Sequence, residues 1–375
     1  MPEIWLGYGD SNVILDIKYE NILDINKTDF SLLDSEAVFI ELDKEIKLYD
    51  SSLILNFNPF TQMIPLLKII NEKSKIHGIN DLEIYTLSTN IPLKIKRELN
   101  DNGITIRKIE SSDILNKIKY FKKTIILEKI EYDPFFGYKG ASTELMRSSF
   151  PNEMNQAYST IIDKIPQPGV ITEPLNISFE SSKTLNIETI NVIANNDGIN
   201  SIYCGDIESS FKKSIDELNK ISKRKTEKSK SAFISGNSNF NTQSTLSNSL
   251  NLLWNNYQAV KENGIIIFLS ENKMGLGNGA LLQYIENRLD QSGSKKYQYI
   301  KDLEHFNFLR LIKDKFEIYA ISTLPRVYLN KLGIKTVSRV QEGLETILMQ
   351  YGKNAKISII LNSELTHTLE PNIQL

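Results

Sequence analysis

The stretch Gly264-Ile-Ile-Ile-Phe-Leu-Ser-Glu-Asn-Lys-Met-Gly-Leu-Gly-Asn-Gly279, followed by Leu281, Leu282, Ile285 and Leu289, decides the fold class. A short unbroken apolar run, a glycine-rich turn and an amphipathic segment make up one α/β unit around a buried strand. The same alternation recurs on both sides of it. Upstream, a strand over 231–235 precedes a helix face of Leu246, Leu250, Leu253, Trp254 and Tyr257. Downstream come a strand over 316–322, a helix carrying Val340, Leu344, Ile347, Leu348 and Tyr351, and a strand over 356–361. For that helix Ser338 is the expected N-cap, Gln341 completes a capping box and Gly352 supplies the left-handed stop. In the first half, strands are expected over 52–56, 82–87, 105–109 and 124–130, with helices over 64–75 and 92–102. The second helix opens on a proline and ends near Gly103. Asn196-Asp-Gly198 is strong turn chemistry for a hairpin of 187–195 with 199–204. Phe211, Ile215, Leu218 and Ile221 then predict an amphipathic helix over 207–221.

A chain of 375 residues is long for one domain and points to two. Residues 220–230 hold Lys, Arg, Ser, Thr and Glu with one apolar residue, the composition of a solvated linker. The expectation is therefore an α/β protein of two domains, 1–224 and 225–375, with mixed or parallel sheets flanked by helices and a ligand cleft between them. Lys+Arg 44 against Asp+Glu 46 gives a net charge of -2, so no overall field draws the chain to nucleic acid or to an acidic membrane. One cysteine, Cys204, excludes an internal disulfide and fits a reducing compartment. The N-terminus has no secretory pattern, and the apolar runs are too short to span a bilayer, so a cytoplasmic location is expected.

His77, His305 and His367 lie far from one another and from Cys204, so no metal site and no Ser-His-Asp or Cys-His arrangement is expected. Gly275, Gly277 and Gly279 form a loop between a strand and a helix, where backbone N–H groups can cradle an anion. Their G-x-G-x-G spacing is not the dinucleotide fingerprint, and a tight structural turn is the favoured reading over an anion loop. Tyr132-Asp-Pro-Phe-Phe-Gly-Tyr-Lys-Gly-Ala-Ser-Thr143 places Asp133, Gly137, Lys139, Gly140 and Thr143 in a loop at a strand's end, a common position for a binding site.

Taken in order, Leu6-Gly-Tyr-Gly-Asp10, Phe135-Phe-Gly-Tyr-Lys-Gly-Ala141, Cys204-Gly-Asp206 before its helix, Glu262 through Glu271 with the glycine loop, and the closing helix and strand resemble the nickel-dependent lactate racemase family. The resemblance implies a nickel-pincer nucleotide held between two α/β domains. A histidine would take the hydroxyl proton, a lysine would anchor the cofactor and another histidine would ligate nickel. Carried over, the catalytic histidine positions fall on Asp133 and Asn90, and the anchoring lysine on Thr143. Residues 152–160, where the nickel histidine belongs, contain none. The phosphate turn corresponds to Asn56-Phe-Asn-Pro-Phe60, without its acid and arginine. A glutamine and a lysine of the second domain fall on Thr245 and Asn248, with Gln243 as the glutamine in a shifted register.

An aspartate in water is a weak base near neutral pH, so the base role demands strong desolvation. Lys139, four residues before the anchor position, is the one candidate to replace it. The expectation is thus a divergent, non-racemising protein with no covalently bound nickel-pincer nucleotide and no metal. It would bind a small anionic or nucleotide-like ligand, or pair with an active paralogue. The alternatives are a 2-hydroxy acid racemase or epimerase with reassigned side chains, and a nucleotide-binding α/β protein using residues 275–279 as its phosphate loop.

Overall fold

Period-two alternation along apolar strands builds two six-stranded sheets. The computed structural model describes residues 2–28, 30–79, 81–87, 91–162, 164, 166–237, 243–289 and 298–369. The first sheet has the order Ile199–Asp206, Ile187–Ala194, Lys123–Lys129, Ser51–Asn56, Asp81–Thr86, Arg107–Lys108. Its pairings are parallel except for the hairpin of the first two strands. Along Lys123–Lys129, Ile125 and Leu127 enter one apolar cluster and Ile126 another, so the strand is buried on both faces. Helices Ser35–Glu45, Met63–Ile76 and Leu93–Asp101 cover the first of these faces; Ile114–Tyr120 and Ala141–Ser149 cover the second.

The second sheet is all parallel, in the order Lys335–Thr336, Glu317–Ile321, Val260–Leu269, Ser229–Ser235, Ile357–Ile360, Ile22–Asn26. One face packs on the helix Val340–Tyr351 and on an N-terminal hairpin of Glu3–Tyr8 with Ser11–Asp16. The other face takes helices Leu246–Asn256 and Leu303–Ile312. By pairing and packing, the opening 26 residues belong with the second sheet. A shared apolar cluster joins Tyr132, Phe135, Phe136, Tyr138 and Phe211 to Leu250 and Trp254, so the two sheets' layers meet in one core. Among the described residues no helix is long and apolar enough to cross a membrane.

The architecture is the α/β fold expected, with local differences. Residues 220–230 are not a solvated linker throughout. The helix Ile207–Ser222 runs into Lys223–Lys225, which pairs in parallel with His367–Leu369, and Thr226 and Ser229 are buried. Backbone pairing needs no apolar side chain, so composition gives no sign of a partner far along the chain. The closing helix begins at Val340 with no side-chain cap; instead Glu342 accepts from the Ser338 N–H at 2.7 Å. Gly352 has the expected positive φ, +87°. The loop after 124–130 contains a tight antiparallel hairpin, Glu131–Asp133 with Gly137–Lys139, which feeds the helix Ala141–Ser149.

Candidate functional site

Both sheets wind the same way. In the first, the chain leaves Ser51–Asn56 toward Asp81–Thr86 and returns to place Lys123–Lys129 on its other side. In the second, it leaves Ser229–Ser235 toward Val260–Leu269 and returns with Ile357–Ile360. Each reversal of strand order opens a crevice at the strands' carboxyl ends. A buried glutamate bridges each one. Glu128 accepts from the Phe57 N–H, from the Asn58 N–H at 3.2 Å and from Asn56 Nδ2 at 3.3 Å. Glu364 accepts from the Asn237 N–H at 3.0 Å. Both glutamates line one pocket of about 540 Å³. The first sheet contributes Asn58, Phe60, Lys129, Glu131 and Lys139 to its wall; the second contributes Thr245, Asn248, Asn251, Asn255, Gly277 and Asp302, among others. This volume suits a small molecule.

The wall is polar and its charges are largely matched. Glu131 lies 2.7 Å from Lys129 and 3.5 Å from Lys139. Burial acts to raise the Glu131 carboxyl, but the two ammonium groups overcome it and hold the group at about 2. Burial acts to lower Lys139, yet Glu131, Glu144 and Glu128 together raise it, so it stays charged. Glu128 is different. Desolvation, helped by Glu144, pushes it up to about 8 against the opposing pull of Lys139 and two backbone N–H groups. Its Oε2 is buried with no hydrogen-bond partner. Burial also raises Glu364. On the facing helix Asn255 donates to the carbonyls of Ser363 and Glu364, while its Oδ1 is buried and unpartnered.

No protein-family model and no curated protein sequence matches the chain. Solved structures do. The lactate racemase apoprotein from Thermoanaerobacterium thermosaccharolyticum superposes with a TM-score of 0.80 over 98% of this chain and 100% of that one, at 15% identity. The fold is lactate racemase-like. A protein from Thermotoga maritima also matches, with a TM-score of 0.63 and 10% identity over 90% of this chain and 98% of that one.

On this lactate racemase-like scaffold the residues singled out from the sequence fall into two groups. Lys139 and Gly277 line the pocket, as do Thr245, Asn248 and the turn residue Asn58. Asp133 and Thr143 do not. Asp133, 2% exposed, accepts from the Phe135 and Phe136 N–H groups at 2.8 and 2.9 Å and pairs with Arg147 at 2.9 Å. Arg147 lies equally close to Glu304, to which Tyr299 donates at 3.0 Å. Burial opposes the Arg147 charge, but Asp133, Tyr299, Glu304 and Glu144 raise the guanidinium further above its ordinary value. The Thr143 hydroxyl accepts from the Gly140 N–H and donates to the Gly140 carbonyl, both at 2.9 Å, closing the first turn of its helix. Gly140 itself admits no side chain, since a Cβ there would sit 2.2 Å from Phe211; at Gly137 it would sit 2.1 Å from the Val170 carbonyl. Asn90 lies outside the described residues.

The glycine loop is held from several sides. The Gly275 and Leu276 carbonyls accept from Leu246 and Ser247, and the Ala280 N–H donates to the Lys301 carbonyl. The helix it opens, Ala280–Ile285, has only six residues. Gln243 accepts from the Gly9 N–H at 2.8 Å and is buried away from the pocket wall. The residues fit the nickel-pincer nucleotide poorly. His77 is exposed at a helix end, and His305 pairs with Asn251 at 2.9 Å from behind the wall. His367 is buried against Tyr132, where desolvation lowers it to about 3. None of the three lines the pocket, and among the described residues no cluster of His, Cys, Asp and Glu could hold a metal ion. Glu128, Glu364 and Asn255 escaped the sequence analysis. Glu128 alone left a trace there, a charge inside the apolar run Ile125-Ile-Leu-Glu128.

Proposed function

We propose that this chain is a divergent relative of the lactate racemases that binds a small polar molecule in the pocket between its sheets and does not racemise lactate through a nickel-pincer nucleotide. The observation that carries this is a separation of roles. The groups at the pocket are Glu128, Glu364, Asn255 and Lys139. The side chains at the family's base and anchor positions, Asp133 and Thr143, are engaged in local structure. A general base needs a free lone pair within reach of the proton it takes. Both Asp133 oxygens instead face Arg147, and one also accepts two backbone N–H groups. A covalent link through Thr143 would remove the hydrogen it donates to the Gly140 carbonyl and crowd the oxygen that accepts from the Gly140 N–H at the helix start. The proposal keeps a division near residue 224, with the N-terminal strands joining the second part, and a cytoplasmic setting.

The test is co-expression with the proteins that make the pincer cofactor, followed by metal analysis, intact mass and polarimetry on D- and L-lactate. The expected result is no nickel, a mass equal to that of the sequence, and unchanged optical rotation. Protein that carries nickel with added mass and interconverts the enantiomers would overturn the proposal.

A further inference from the structure

Resting on the reading of the pocket as a binding site, we infer that its ligand is a compact zwitterion of the α-amino acid class, held by its ammonium group at Asp302 and by its carboxylate at Lys301. Both residues line the pocket on the second sheet's side, where the Lys301 carbonyl accepts from the Ala280 N–H at the end of the glycine loop. Asp302 stands at the N-cap position of the helix Leu303–Ile312, where an aspartate ordinarily accepts a backbone N–H of the first turn. It does not do so here. Its backbone is left-handed, at φ 63°, and the carboxylate lies against the glycine loop instead. A Cβ at Gly277 would sit 3.3 Å from Asp302 Oδ2, and one at Gly279 would sit 2.6 Å from it. The two glycines therefore make room for this carboxylate. Asp302 is 8% exposed, yet neither oxygen is sealed off as Glu128 Oε2 is. Among the described residues no hydrogen bond or ion pair engages it.

The other charges on the wall are already matched. Lys129 and Lys139 share Glu131, and Lys139 has Glu144 near it as well. Both Glu364 oxygens accept from the Asn237 N–H, and Glu128 is wholly buried. That leaves one charge of each sign, Asp302 and the exposed Lys301, which has no ion-pair partner among the described residues. An ionised carboxylate that is nine-tenths buried without a partner is costly, and a cation offsets more of that cost than a hydroxyl hydrogen does. An anionic ligand would satisfy Lys301 but crowd Asp302; a purely cationic one would do the reverse. A molecule with an ammonium group beside a carboxylate serves both. Asn278, exposed in the same loop, adds an amide able to donate to that carboxylate. In a cavity of about 540 Å³, room remains for a side chain.

The experiment is calorimetric titration of the full chain with L-alanine, L-methionine and L-phenylalanine. Each is run beside its 2-hydroxy acid, which lacks the ammonium group, and its primary amide, which lacks the carboxylate. At least one amino acid is expected to bind saturably, with both of its analogues about tenfold weaker or worse. Asp302→Asn keeps the shape and suits the left-handed backbone. It should cost that amino acid about tenfold and remove its advantage over the hydroxy acid. Lys301→Met should remove the advantage over the amide. The comparison among the probes needs no variant and stands if either variant fails to fold. A hydroxy acid or amide that binds as tightly as its amino acid overturns the inference while leaving the pocket as a binding site. Unchanged amino acid affinity in Asp302→Asn does the same. Failure of the amino acids alone also overturns it; failure of every probe removes the pocket reading as well.

Discussion

Glu128 and Asp133 are neighbours on one segment, and both carboxyl groups are buried, yet their surroundings are opposite. Asp133 has a guanidinium at 2.9 Å and two backbone donors. Glu128 has backbone and amide donors on one oxygen and, among the described residues, nothing on the other and no ion-pair partner. Burial alone penalises the charged form of any carboxyl group; the partner decides whether the charge survives. At Asp133 the charge becomes part of a structural clamp that reaches Glu304 on the second sheet's side. At Glu128 it is given up near neutrality, on a fully buried residue at the edge of the pocket. A position that a family motif singles out need not be the reactive one. Here the open group lies a few residues upstream.

The clamp should fail most visibly. Arg147→Met keeps much of the apolar stem and removes the charge, which strands Asp133 and Glu304 together in the interior. Breaking a buried pair in this way costs about 3–5 kcal/mol, read as a lower urea midpoint at unchanged slope. A loss below about 1 kcal/mol would mean that Asp133 is no better satisfied than Glu128, and the contrast would collapse.

A pH-dependent effect, at most comparable in size over its whole window, should mark the unpaired group. Glu128 is raised from 4.5 to about 8 in the folded chain, with Glu144, Lys139 and the Phe57 and Asn58 N–H groups facing it. The sign follows from proton counts. Below 4.5 both states hold the proton and the contribution is complete. Between 4.5 and about 8 only the folded state holds it, and stability falls by up to about 1.4 kcal/mol per pH unit. Above that range the loss is finished. Glu128→Gln cannot ionise, so the stability difference between wild type and variant should drift across this window and level off beyond it. A difference that stays constant from pH 5 to pH 9 would place Glu128 among the ordinary carboxylates.

The sequence made the scaffold legible because strands buried on both faces carry short unbroken apolar runs, Ile125-Ile-Leu127 within Lys123–Lys129 and Ile265-Ile-Ile-Phe-Leu269 within Val260–Leu269. The site was legible in part. Lys139 and Gly277 could be found because glycine and lysine in a loop after a strand stand out locally, and both line the pocket. Arg147 could not be found, since its role depends on Asp133 and Glu304, brought together only by tertiary packing. Asn255 lies on an otherwise well-formed helix, and nothing in its neighbours shows that the amide hydrogens are committed to residues 363 and 364. The strand Lys223–Lys225 was hidden for a similar reason: its partner is the strand His367–Leu369, and its own residues are charged.

Thr143 offers the finest cut through the comparison, because the sequence resemblance assigns it to an anchor position although it does not line the pocket. Its hydroxyl holds the Gly140 N–H and carbonyl together at the point where the hairpin Glu131–Asp133 with Gly137–Lys139 turns into a helix. Thr143→Val keeps the shape and deletes the hydroxyl, so the expected cost is that of one helix-start bond, about 1 kcal/mol. Lys139 stands immediately before Gly140, so a frayed turn would shift it slightly. Affinity for a small polar molecule bound in the pocket should nonetheless stay within about twofold, well under the tenfold that separates a lost contact from an indirect one. The reverse pattern, unchanged stability with lost binding, would move Thr143 from the structural group to the site. It would also restore the anchor position to the function that its place in the motif implies.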